Sequence, residues 1–131
     1  MDYKFPEDLK YTTSHEWVKL DGIEYIFGIT DYAQHQLGDI VFVELPEVET
    51  IFEKGSNVGE IESVKAVGDL IMPLSGKIIK LNDKIVDHPE LVNSSPFEEG
   101  WMMRIQISLP TEIDELVTAE EYKEIVQKEM Q

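Results

Sequence analysis

The chain contains no cysteine, so it offers no disulfide, no thiolate nucleophile and no thiolate metal site. Basic residues are scarce: Lys and Arg total 11 against 27 Asp and Glu, a formal charge of -16. A surface of that sign is repelled by phosphate backbones and anionic lipids, so neither a nucleic-acid partner nor a membrane is expected. Long apolar runs are missing too; none approaches the ~20 residues of a membrane span. The three histidines, His15, His35 and His88, are scattered, with none at the i, i+4 spacing of a zinc-binding helix, and no metal site is expected. There is no glycine-rich phosphate loop. Ser14-His15-Glu16 is not read as a catalytic triad, because neighbours on a strand point to opposite faces, and no other nucleophile–base–orienter set is evident. The opening residues, Met1 to Asp8, are acidic and lack the basic and apolar regions of a leader or transit peptide, so a cytoplasmic protein is expected.

What is present is ordinary for a folded domain. Hydrophobic residues make up 42% of 131, enough for one core, and charged residues 29%. The acidity keeps such a chain soluble and favours docking on basic patches of other proteins.

The pattern along the chain is mainly that of short strands. His15–Leu20 reads as a strand, Asp21-Gly22 as a hairpin turn, and Ile23–Ile29 as the returning strand, with Gly28 marking a bulge or a close backbone approach. Thr30 suits the N-cap of a short helix over 31–37 that Gly38 stops. Ile40–Leu45 is a strand ended by Pro46, and 46–57 reads as loop. Val58–Val64 and Ala66–Met72 flank a turn. Gly76–Leu81 and Trp101–Ile107 are further strands, Asn82-Asp83 opens a turn, and Pro89–Val92 suits one helical turn. Thr118-Ala119-Glu120-Glu121 is a capping box, and Tyr122, Ile125 and Val126 fall on one face of a C-terminal helix over about 118–129, which should lie outside a β core.

Two stretches resemble each other. Gly38–Leu45 followed by Gly59-Glu60-Ile61, and Gly76–Asn82 followed by Gly100–Ile105, each run glycine, strand, loop, glycine, strand. One such unit cannot bury both its faces, so two small sheets facing each other with approximate twofold symmetry are expected. The connection between them carries Lys65. If its flanking strands pair, this lysine stands at a hairpin tip, open to solvent. Position alone does not distinguish it from any exposed lysine.

Glu62-Ser63-Val64-Lys65-Ala66 closely resembles the lipoylation motif of glycine cleavage H proteins. The resemblance extends through Ser14-His15-Glu16-Trp17-Val18, Gly28–Gln34, Leu37–Pro46, Pro73-Leu74-Ser75-Gly76, Pro89–Asn93 and Gly100-Trp101, in that order. It implies a mainly β fold: a flattened β sandwich, or barrel-sandwich hybrid, of the biotinyl/lipoyl type with short helices and a C-terminal helix, one domain over 1–131. It implies a non-catalytic carrier with lipoate joined by an amide to Lys65 (N6-lipoyllysine), attached by a lipoate ligase or a lipoyl/octanoyl transferase. The implied partners are the pyridoxal-phosphate glycine decarboxylase (P protein), the tetrahydrofolate-dependent aminomethyltransferase (T protein) and dihydrolipoamide dehydrogenase (L protein). By the same resemblance Ser14, Glu16 and Asp69 line a cleft sheltering the loaded arm, with carboxylates facing its cationic amine. Some family members carry a cleft histidine at the position of Gln36; here the histidine is His35, and Gln36 joins the cleft as a group that hydrogen-bonds without titrating near neutral pH. The same lysine and fold would also serve an H-like relay passing lipoyl groups to other complexes or to a redox-linked modification system. A biotin carrier would flank the lysine with methionines rather than Val64 and Ala66, and an adaptor protein would leave Lys65 unmodified.

Overall fold

The computed structural model describes residues 2–130. In chain order its elements are β1 (Lys10–Tyr11), β2 (Glu16–Asp21), β3 (Glu24–Ile29), α1 (Asp31–Leu37), β4 (Ile40–Glu44), β5 (Ile51–Phe52), β6 (Asn57–Ser63), β7 (Val67–Ile71), β8 (Gly76–Leu81), α2 (Lys84–Asp87), α3 (Glu90–Ser94), β9 (Met103–Ile107) and α4 (Ala119–Glu129), with a 3-10 turn over Pro110–Glu115. The strands form two antiparallel sheets, one of six in the order β1-β2-β3-β9-β8-β5 and one of three in the order β4-β6-β7. The fold is therefore mainly β with short helices and a C-terminal helix, as expected, and needs no closed barrel. A shared core fuses the sheets: Val18, Phe27, Ile78 and Ile105 from the larger pack with Ile40, Val43, Ile61 and Leu70 from the smaller.

Local chemistry explains the first hairpin. Asp21 pairs with Glu24, leaving Gly22 and Ile23 as a two-residue turn, and Gly22 takes φ 69°, the conformation a type II′ turn needs at its first central position. The returning strand starts at Glu24 rather than Ile23, which stands 86% exposed in the turn. Gly28 marks a close approach and not a bulge. The β2–β3 register is unbroken, and the Trp17 indole lies over Gly28, so that an added Cβ would sit 3.0 Å from Trp17 Nε1. The indole N–H donates to the Pro96 carbonyl at 2.9 Å.

Both predicted helix caps form. Thr30 Oγ1 accepts the Ala33 N–H at 3.2 Å, and Gly38 closes α1 at φ 82°. Thr118 Oγ1 accepts the Glu121 N–H at 3.2 Å while the Glu121 carboxylate accepts the Thr118 N–H at 2.9 Å, a complete capping box for α4. Tyr122 and Val126 are buried, and with Leu9, Tyr11, Trp17 and Tyr32 they form a second cluster on the outside of the larger sheet.

Each repeat unit forms an antiparallel pair, β4 with β6 in one sheet and β8 with β9 in the other. Their glycines are not equivalent, however. Gly38 caps a helix and Gly100 lies in a turn, whereas Gly59 and Gly76 lie within strands, against the Glu44 and Gln106 carbonyls. The sheets are also unequal, because β1, β2 and β3 extend only one of them.

Candidate functional site

The β6–β7 hairpin closes through Val64-Lys65-Ala66. The Ser63 N–H donates to the Ala66 carbonyl at 2.8 Å, and Ser63 Oγ accepts the Ala66 N–H at 3.0 Å. The Val64 N–H reaches out of the hairpin to the Asp39 carbonyl at 3.1 Å, fastening the tip to the segment that follows α1. Lys65 is exposed, and no ion pair among the described residues uses it. Its stem crosses Gly38: an added Cβ there would lie 3.2 Å from Lys65 Cε. A side chain at Gly38 would press on the lysine stem, which would have to shift slightly, and would itself have to adopt a positive φ.

Beside this lysine is a cleft of about 290 Å³. Ile29, Tyr32, Ala33, Leu37 and Ile61 give it apolar walls, and Ser14, His15, Glu16, Gln36, Asp69 and Glu129 supply polar groups. The four cleft residues read from the sequence thus all line one cavity. Leu37, which precedes the Gly38 that the lysine stem crosses, lines the cleft; its Cδ2 lies where a Cβ on Gly68 would come within 3.1 Å.

Glu16 is the unusual member. It is 1% exposed, and burial pushes its carboxyl up to about 7 from an ordinary 4.5, against hydrogen bonds from Ser14, Thr12 and the Ile71 backbone that favour the anion. Asp69, on the outer face of β7, is exposed at the cleft mouth.

Ser14 and His15 correct the strand reading. The strand begins at Glu16, while Ser14 and His15 belong to the preceding turn, where His15 takes φ 74°. All three residues therefore reach the same cleft instead of alternating across a sheet. They still do not form a triad. Ser14 Oγ donates to Glu16 Oε1, and the His15 ring turns to α4, with Nδ1 2.8 Å from the Tyr122 hydroxyl and Nε2 3.1 Å from Glu129 Oε1. Tyr122 in turn meets Thr30 Oγ1 at 2.6 Å, which ties the C-terminal helix to the cap of α1. His35 takes no part; it lies 3.5 Å from Asp31 and against the Tyr3 ring.

Thr12, His15 and Glu129 were missed as site groups. Glu129 is 113 residues from Glu16, and only the packing of α4 brings it there, so the sequence holds no local signal for it. No group of three or more His, Asp or Glu among the described residues could hold a metal ion, and no helix among them is long and apolar enough to cross a membrane.

Fold and site together define a class of small two-sheet β domain that presents an exposed hairpin lysine beside a partly apolar, partly acidic cleft. The family model described as Glycine cleavage H-protein matches residues 9–129, and the chain belongs to that family, whose members are the carrier component of the glycine cleavage system. It is 48% identical over 124 residues to the glycine cleavage system H protein of Carboxydothermus hydrogenoformans, covering 95% of both chains. It is also 48% identical over 121 residues to that of Staphylococcus haemolyticus, covering 92% of this chain and 96% of the relative. The crystal structure of a glycine cleavage system H protein from Mycobacterium marinum superposes with a TM-score of 0.79 at 39% identity, over 89% of this chain and 94% of that one.

Proposed function

We propose that Lys65 is the attachment point of lipoate and that the chain, itself non-catalytic, shuttles a loaded arm among the enzymes of glycine cleavage in the cytoplasm. The observation that carries this reading is the placement of an exposed lysine, in no ion pair among the described residues, whose stem runs over Gly38, the residue after the cleft-lining Leu37, with a buried carboxyl in that cleft. Lipoate, joined by an amide through a lipoate ligase or lipoyl/octanoyl transferase, would supply a dithiol that takes an aminomethyl group from the P protein, yields it to the T protein and is reoxidised by the L protein.

The chain's own residues hold and shelter. The open hairpin tip leaves the Lys65 amine accessible to an acylating enzyme. Ile29, Ala33, Leu37 and Ile61 suit an aliphatic arm and a sulfur-bearing tip, and exclude water from it. Glu16 and Asp69 meet a cationic amine with carboxylates, while Ser14 and Gln36 provide neutral hydrogen-bonding groups. Glu16 suits a reversible guest. Without a cation near, burial holds its proton to about pH 7; an amine entering the cleft favours the anion, so loading would expel that proton.

Intact-mass and peptide mass spectrometry of the protein from its native cell tests the assignment. A lipoyl adduct on Lys65 is expected; a biotinyl adduct or an unmodified lysine would overturn it. In a reconstituted system with the P, T and L proteins, Lys65→Arg should fold and support no glycine decarboxylation, and turnover by that variant would refute the role. Glu16→Ala should shorten the lifetime of the aminomethyl-loaded form, with faster release of ammonia and formaldehyde; an unchanged lifetime removes Glu16 from the sheltering role.

A further inference from the structure

Thr12 lies behind Glu16, outside the cleft that faces Lys65, and lines a separate cavity of about 200 Å³ bordered by Gly55, Ile71, Pro73 and Leu116. Three bonds bind it to Glu16, the residue it faces, and a fourth ties it to His15. The Thr12 N–H donates to the Glu16 carbonyl at 3.0 Å, and the Glu16 N–H donates back to Thr12 Oγ1 at 3.0 Å. Thr12 Oγ1 then donates its proton to Glu16 Oε1 at 2.6 Å, and the His15 N–H donates to the Thr12 carbonyl at 3.3 Å. The hydroxyl oxygen is therefore fixed by the backbone of the very residue whose side chain it serves, and the left-handed turn at His15 is what brings the two ends together.

Hydrogen counting shows what this arrangement selects. Ser14 and Thr12 have one hydroxyl proton each, and both hydroxyls bond to the same oxygen, Glu16 Oε1. The two hydroxyls also lie 3.2 Å from each other. With an ionised Glu16, both protons point at Oε1 and none is left for the Thr12–Ser14 contact. With a neutral Glu16 protonated on Oε1, the carboxyl donates to one hydroxyl, and that hydroxyl's proton is released to its neighbour. The cluster accommodates both states without moving a heavy atom. The other titratable groups around Glu16 are His15, Tyr32, Asp69, Tyr122 and Glu129, and across the outer cavity Lys54 is already paired with Glu115 at 2.6 Å. No cation among them bonds to Glu16, so hydroxyl and backbone donors alone stabilise its anion.

We propose that Thr12 is a positioning residue for Glu16: its hydroxyl holds Oε1 in place and makes the anionic form attainable in a site that burial would otherwise keep neutral. This deepens the sheltering role proposed for Glu16 and rests on it for its consequence, though not for its test.

The test uses the intact lipoylated chain with Thr12→Val, which keeps shape and removes the hydroxyl, and Thr12→Ser, which restores it. The Glu16 carboxyl carbon is followed by ¹³C NMR from pH 4 to 10, with amide spectra to establish that each variant is folded. Loss of one donor to a charged acceptor should raise the Glu16 midpoint by about one pH unit in Thr12→Val and leave it near the parent value in Thr12→Ser. An unmoved midpoint in folded Thr12→Val, or an equal rise in both variants, overturns the proposal. If Thr12→Val does not fold, a Thr12→Ser midpoint displaced from the parent's overturns it, and an unchanged one supports it. The lifetime of the aminomethyl-loaded form is measured separately. If it is the same in the parent and in Glu16→Gln, the sheltering role fails, while the titration still decides the place of Thr12.

Discussion

Replacing Glu16 by glutamine should change how stability depends on pH. In the folded chain the carboxyl releases its proton only at about 7, against 4.5 for an ordinary glutamate. The folded state then binds more protons than the unfolded state between those two values, so stability falls as pH rises through the interval. At about 1.4 kcal/mol per unit, the whole interval corresponds to a loss on the order of 3 kcal/mol, present in full above pH 7 and absent below 4.5. Solvent screening does not reduce it much, since Glu16 is 1% exposed. Glutamine keeps the shape and an acceptor oxygen for Thr12 and Ser14 but cannot ionise. Urea unfolding of both proteins at half-unit steps from pH 4.5 to 8.5 gives two curves whose separation isolates this group from the many other carboxylates. Glu16→Gln should gain on the parent by roughly 3 kcal/mol across the range, about 10 °C in melting temperature for a chain of this size. Parallel curves would refute the reasoning, because a buried carboxyl that ionises at no cost cannot be the proton-holding group described above.

Three further outcomes follow from packing. Lys65→Arg should leave the unfolding midpoint within about 0.5 kcal/mol of the parent, since the side chain is exposed and unpaired; a larger loss by urea titration would mean that the hairpin depends on it. Gly28→Ala pushes a methyl against the Trp17 indole and should cost about 1–3 kcal/mol with a change in tryptophan fluorescence, whereas an unperturbed emission spectrum would contradict the close approach. Thr118→Ala removes half of the capping box and should cost about 1 kcal/mol, read as faster amide exchange in the first turn of α4.

The sequence carried those features that depend on neighbours along the chain. Thr30 and Thr118 cap helices because their hydroxyls reach an N–H three residues on, and Gly22 and Gly38 sit where the backbone turns left-handed. Elements held only by distant pairing were not legible. β1 exists because Lys10 and Tyr11 pair with Val18 and Trp17, and β5, inside what reads as a loop, because Ile51 and Phe52 find Lys77 and Gly76. Neither is long enough to show alternation. The single turn of α2 gives no periodicity, and the 3-10 turn over Pro110–Glu115 is too short to show any. The same divide runs through the site. Lys65, Ser14, Glu16, Asp69 and Gln36 were named from motif resemblance, and the cleft gathers the last four. Thr12 and Glu129 have no motif of their own; one is recruited by a left-handed turn, the other by a helix from the far end of the chain.

The bond from Val64 to the Asp39 carbonyl would fix the hinge point of an arm carried on Lys65. A long tether on a mobile loop explores a large, blurred volume and dilutes its own tip. Hung from a fastened bend, the same tether sweeps a region set by its length alone, and the local molarity of its tip at the cleft stays high. For the arm proposed on Lys65, retreat into shelter would then be a short intramolecular fold-back from a fastened base, and each partner enzyme would have to come to that bend.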